Sequence, residues 1–141
     1  MNEITIIIIT YKSEKIIYNF IKKIPSTIKT VIIENSQNYK LKKNIELNYK
    51  NISVYIKKND GVSSALNFAV DKIETKYFLQ ISPDIEFNFK DLEVFLNYAK
   101  KLNNNFAALG PRFLDVKEKS HKQINEKIEY GKIDSIHGSC M

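Results

Sequence analysis

Short runs of β-branched residues alternate along this chain with stretches whose apolar residues recur at helical spacing. Ile4 to Ile9 is β-branched throughout and bounded by Thr10-Tyr11-Lys12-Ser13, which suits a parallel strand buried on both faces. Ser13 is placed to cap a following helix in which Ile16, Ile17, Phe20, Ile21 and Ile24 recur before Pro25 ends it. A second strand reads Lys29 to Glu34 and closes in the polar cluster Asn35-Ser36-Gln37-Asn38. A Lys- and Asn-rich stretch then carries no element of its own, and Ile52 to Ile56 forms a third strand.

Asn59-Asp60-Gly61 signals a turn, followed by a helix from Val62 to Val70 with Ala65, Leu66, Ala69 and Val70 inward. Tyr77 to Ile81 is a fourth strand that stops at Ser82-Pro83-Asp84. Asp91, Leu92, Val94, Phe95, Leu96, Tyr98, Ala99 and Leu102 mark another helix, and Phe106 to Gly110 a fifth strand. This alternation predicts an α/β fold with a doubly wound, mostly parallel sheet. Beyond Arg112 the pattern weakens, then turns strand-like from Ile133 to Met141, so the expectation is a portion of a larger domain, cut short at its C-terminal side.

At 141 residues the chain is long enough for one core, and its 43% hydrophobic and 27% charged residues are those of a globular domain. The net charge of +6 raises nucleic acid or an anionic surface as a partner. Arg112 is the only arginine, whereas readers of bases and phosphates exploit the arginine fork, so no nucleic-acid partner is expected. Scattered lysines are compatible with peripheral association at an anionic membrane face. The apolar run at residues 4–9 is far shorter than the ~20 residues that span a bilayer, and Cys140 has no partner for a disulfide, which together point to the cytoplasm.

In an open α/β sheet, ligands bind beyond the carboxyl ends of the strands. That rule selects the segments Thr10 to Ser13, Glu34 to Ser36, Asn59 to Gly61 and Ser82 to Glu86, all of them polar. No coupled set of histidine and carboxylates for hydrolysis appears. His121 and His137 lack partners at metal-ligand spacing, and Cys140 lacks the context of a nucleophile.

These segments, in this order and approximate spacing, resemble those of family 2 glycosyltransferases with the GT-A (Rossmann-like) fold. The likeness is carried by Ile-Thr-Tyr-Lys-Ser at 9–13, Ile32-Ile33-Glu34-Asn35-Ser36, Asn59 to Asn67, and Ser82-Pro83-Asp84. The nearest likeness is to the rhamnosyltransferase-like branch, in which the metal motif reads Asn-Pro-Asp, and Gly110-Pro111-Arg112 and His137-Gly138-Ser139 resemble later landmarks of it.

The resemblance implies a nucleotide-sugar-binding domain spanning residues 1–141 and an inverting transfer from a UDP-, dTDP- or GDP-sugar to a glycan or lipid-linked acceptor. Cell-envelope polysaccharide synthesis on the inner membrane face is the implied setting. Asp84 becomes the ligand for Mg²⁺ or Mn²⁺ and thereby the diphosphate anchor, with Ser82 beside it in place of a second acid. Glu86 is a further acid near the metal position. Thr10 and Tyr11 would line the base and ribose pocket, and Glu34, where the family usually has aspartate, would accept hydrogen bonds from base or ribose. Asn59, Gly61 and Asn67 complete the donor-contacting set, while Leu66 stands where many members carry arginine. The general base of the family lies later in the domain and is expected beyond Met141.

Each assignment has a plainer counterpart. Asp84 would end a strand after a turn-forming proline, Glu34 would satisfy loop backbone, and Asn-Asp-Gly is first of all a turn. A nucleotidyltransferase is disfavoured because no glycine follows the first strand. The better rival is a non-catalytic α/β module or a degenerate transferase remnant that binds a partner.

Overall fold

The computed structural model describes residues 3–103 and 108–110. The elements run β1 (Ile4–Thr10), α1 (Glu14–Ile21), β2 (Lys29–Glu34), α2 (Tyr39–Asn48), β3 (Ile52–Ile56), α3 (Val62–Val70), β4 (Tyr77–Gln80) and α4 (Leu92–Leu102). A single 3₁₀ turn over Phe89–Asp91 leads into α4. The four strands form one sheet in the order β3-β2-β1-β4, and every pairing is parallel.

The isoleucine run works as a central strand because alternate residues serve opposite faces. Ile4, Ile6 and Ile8 pack with Ile17, Phe20 and Ile21 of α1, Leu41 and Ile45 of α2, and Leu92 and Leu96 of α4. Ile7 packs on the other face with Val31, Ile33, and Ala65 and Ala69 of α3. Topology explains this division. The steps from β1 to β2 to β3 move outward in one direction, so right-handed crossovers keep α1 and α2 on one face. The return from β3 past β1 to β4 reverses direction, and the same handedness sends α3 to the opposite face.

Four local features differ from the sequence-based expectations. Residues 39–48, read as a stretch without an element, form α2. Only Leu41 and Ile45 of this helix are buried, one turn apart, and Asn38 caps it by accepting from the Leu41 N–H at 2.9 Å. Ser13 does precede α1, but its hydroxyl donates backward to the Tyr11 carbonyl at 2.8 Å and makes no cap. Val70, expected inward, is exposed, as is Ile16 of the apolar repeat in α1. The fifth strand falls partly outside the described residues, and its described part, 108–110, is not in a strand; everything from Pro111 onward, including His121, His137 and Cys140, lies outside them.

Among the described residues β3 is an outer strand of the sheet, and its free edge is covered by two side chains of α2. Val54 donates its N–H to Glu46 Oε1 at 2.9 Å and accepts from Lys42 Nζ at 2.5 Å, while Lys42 and Glu46 pair at 3.2 Å. The two termini of this ion pair thus take the places of a neighbouring strand's carbonyl and N–H, which blunts an edge otherwise ready for strand addition. The double variant Lys42→Ala, Glu46→Ala should leave both Val54 groups open and show mass rising with concentration in sedimentation, relative to the unmodified chain. Identical sedimentation of the two would refute the blocking role.

Candidate functional site

Because all four strands run in parallel, their carboxyl ends lie along one edge of the sheet, and the four polar segments singled out in the sequence gather there. β1 is flanked by β2 and β4, so Thr10 and Tyr11 stand between Glu34 on one side and Ser82 to Asp84 on the other. The Ile81 N–H donates to the Ile7 carbonyl at 3.0 Å and extends the β1–β4 ladder by one step before the chain turns away.

Thr10 is buried at the end of β1, and its hydroxyl oxygen has no hydrogen-bond partner among the described residues, while its carbonyl accepts from Asn35 N–H at 2.9 Å. Tyr11, half exposed, carries the ammonium of Lys12 over its ring at 5.2 Å. Lys12 adopts φ 51°, which turns its N–H toward Ser36 Oγ at 3.4 Å and ties the β1 loop to the β2 loop. An open cleft of about 820 Å³ lies between these loops, with Lys12, Ser36, Asn38 and Tyr39 among its walls.

Glu34 is 1% exposed, and its carboxylate faces its own loop. Oε1 accepts from the Ser36 N–H at 3.0 Å and from the Ser36 hydroxyl; Oε2 accepts from the Asn38 N–H at 2.6 Å. Gln37 at φ 61° is the reversal that lets the chain fold back onto this carboxylate. Asn38 then bonds Glu14 of α1 and caps α2, so one buried acid organises the whole 34–38 segment. Glu34 therefore has three protein donors on its two oxygens, the arrangement in which it satisfies loop backbone.

The β3 loop is joined to this assembly through Lys57, whose N–H donates to the Glu34 carbonyl at 3.0 Å, and through a bridge between Ser36 and Lys58. Asn59 is exposed, with Oδ1 accepting from Gly61 N–H at 3.3 Å. Gly61 has φ 101°, and a Cβ there would meet nothing within 4 Å among the described residues, so its dihedral is what calls for glycine. It gives α3 no side-chain cap, leaving first-turn N–H groups of that helix without intrahelical acceptors at the ligand edge. Asn67 is exposed and stands two positions from each of the buried Ala65 and Ala69, hence on the side of α3 away from the sheet.

On the far side of β1, Ser82 is half-buried and its carbonyl accepts from Ile85 N–H at 3.4 Å, which forms the turn that exposes Asp84. Asp84 and Glu86 line a cleft of about 270 Å³ against Ile16 and Asn19 of α1 and Lys23 just past its end. Among the described residues no group of three or more His, Cys, Asp or Glu side chains could hold a metal ion. Lys57, Ser64 and the carboxylate-capping roles of Ser36 and Asn38 were not singled out from the sequence; a lysine at a strand end with an acid three residues on was the available signal for Lys57.

Comparison with known proteins fits this arrangement. The curated relative "Low-salt glycan biosynthesis hexosyltransferase Agl10" of Haloferax volcanii is 24% identical over 118 residues, covering 82% of this chain and 38% of its own length. Residues 1–349 of S. aureus TarS superpose with a TM-score of 0.58 at 20% identity, over 70% of this chain and 32% of that one. The same fragment in complex with UDP-GlcNAc gives a TM-score of 0.56 at 17% identity, over 70% and 31%. The fold is therefore the α/β arrangement of these GT-A glycosyltransferase structures, and the chain spans well under half the length of the relatives it matches. The pattern of the family described as "Glycosyl transferase family 2" matches residues 5–137, a span that takes in all four polar loops at the sheet edge, and the chain belongs to that family.

Proposed function

We propose that this chain is the donor-binding portion of an inverting glycosyltransferase that moves a sugar from a nucleotide-diphosphate sugar to a glycan or lipid-linked acceptor. The observation that carries the reading is the convergence of four polar loops on one edge of a parallel sheet, within a family 2 match covering residues 5–137. The UDP-GlcNAc complex of a structural neighbour supports a sugar nucleotide as the ligand class.

In this reading Thr10 and Tyr11 line the base and ribose end, Glu34 shapes it through the loop it holds, and Asn59, Gly61 and the start of α3 face the diphosphate. Asn67 reaches the ligand from the outer side of α3, and Ser82 sets the turn that presents Asp84. An exposed carboxylate on its own suits Mg²⁺ or Mn²⁺, hard ions that take most of their remaining ligands from water and phosphate. Asp84, with Glu86 nearby, would hold such an ion, which would supply neutralising charge for the departing diphosphate. The residues of the chain orient the donor so that its anomeric carbon faces the acceptor hydroxyl. No helix among the described residues is long and apolar enough to cross a membrane. Attachment to the inner membrane face, in cell-envelope polysaccharide synthesis, would then rest on surface lysines.

Calorimetric titration of the 141-residue chain with UDP, dTDP and GDP in Mn²⁺ should show binding of at least one nucleotide that EDTA weakens. Silence with all three in the presence of metal would instead favour a non-catalytic module.

A further inference from the structure

Around Gly61 three side chains outside the expected donor set close a ring. Lys57, whose side chain is only 18% exposed, pairs its ammonium with Asp60 and donates to Ser64 Oγ at 3.0 Å. The Ser64 hydroxyl donates in turn to the other oxygen of Asp60 at 2.9 Å. One residue comes from the end of β3, one from the turn and one from the first turn of α3, so a single charged contact ties strand, turn and helix together.

The segment thus held has conformational freedom to lose. Gly61 at φ 101° has no side chain to restrict it, and among the described residues its N–H is held by the exposed Asn59. The Lys57 ammonium foremost, then the Ser64 hydroxyl, holds the Asp60 carboxyl below the ordinary aspartate range, so the acid remains charged as an anchor. The ring joins residues seven positions apart, and none of its three members belongs to the buried core of either face. Its loss would therefore release a local loop without opening the sheet.

We infer that Lys57, Asp60 and Ser64 are positioning residues for the donor: they hold Asn59, Gly61 and the uncapped start of α3 in the form that receives the diphosphate. The role rests on the donor-binding reading above. None of the three need touch the ligand, and an ion pair of this kind contributes little to global stability. Its effect appears as the fraction of chains whose loop is already in the binding form, which multiplies directly into affinity.

The test is the affinity of the chain in Mn²⁺ for whichever of UDP, dTDP and GDP the unmodified chain binds most tightly, measured for Lys57→Met, Asp60→Asn, the double variant and Lys57→Arg, with thermal midpoints alongside. Each single variant should weaken that nucleotide by about tenfold, and the double variant no further, because either change opens the same ring. Arginine at 57 should restore affinity to within about threefold, since its fork can reach both partners. The melting midpoints without nucleotide should stay within about 2 °C of the unmodified chain. Unchanged affinity in both single variants would overturn the role. So would weakening by Lys57→Met alone, which would make the lysine a direct phosphate contact, or losses that track the melting midpoint. Failure of the unmodified chain to bind UDP, dTDP or GDP would overturn the donor reading itself and this role with it, a result distinguishable because it shows before any substitution.

Discussion

Asp84→Ala is expected to abolish the Mn²⁺-supported part of nucleotide binding, a loss of about 100-fold or near 2.7 kcal/mol, and to leave stability within about 0.5 kcal/mol. The asymmetry follows from exposure. Asp84 is exposed beyond a half-buried serine and proline, so the folded state draws little from it, whereas a divalent ion at this position would lose its one protein carboxylate. Asp84→Asn is the sharper comparison, since it keeps an oxygen in place and removes only the charge. If alanine at 84 lowered the melting midpoint and left affinity in Mn²⁺ and in EDTA untouched, the residue would be a turn terminator and the donor site would need another anchor. Glu86→Gln should have a smaller effect, because Glu86 lines the cleft without occupying the turn.

Glu34→Ala should show the reverse pattern, with a loss of about 3 kcal/mol in urea unfolding. Its side chain is buried, and its removal strands the N–H groups of Ser36 and Asn38 and the Ser36 hydroxyl. A buried donor left without an acceptor costs roughly 1–3 kcal/mol, and partial rehydration of the loop keeps the sum below a simple addition. Asn38 also caps α2 and bonds Glu14, so the damage should spread to the starts of both helices. Glu34→Gln retains one acceptor and turns an amide N–H₂ toward donors already pointing inward, so an intermediate loss is expected. Unfolding of Glu34→Ala at the same urea concentration as the unmodified chain, with weakened nucleotide binding, would return Glu34 to a direct ligand contact.

The two substitutions separate what the sequence could say about these residues. Both are acids just at or beyond a strand end, and both match family positions. Pattern places them at the ligand edge because short apolar runs alternating with helical stretches read as parallel strands, and parallel strands share their carboxyl edge. The direction in which each carboxylate points depends on the next few backbone dihedrals. At Glu34 the left-handed φ of Gln37 folds the following N–H groups back onto the acid, and glutamine does not advertise such a dihedral. At Asp84 the proline before it and the Ser82 turn keep the acid outside.

Residues 39–48 mark the same boundary. Leu41 and Ile45 were too few to announce an amphipathic helix among lysines and asparagines, and only the sheet face that they cover, together with the Asn38 cap, makes that helix form. The clamp of Lys57, Asp60 and Ser64 and the Lys42–Glu46 cover on β3 are likewise unions of ordinary surface residues, meaningful only once a turn or a helix brings their ends together. By itself the sequence determined the described strands, the side-to-side alternation of the core, and the edge where a ligand belongs, because those follow from local periodicity in apolar residues. The tertiary structure alone decided strand order, the second helix, and which polar groups are spent on holding loops and which are left facing the edge, because hydrogen bonds choose partners by geometry that residue type does not encode.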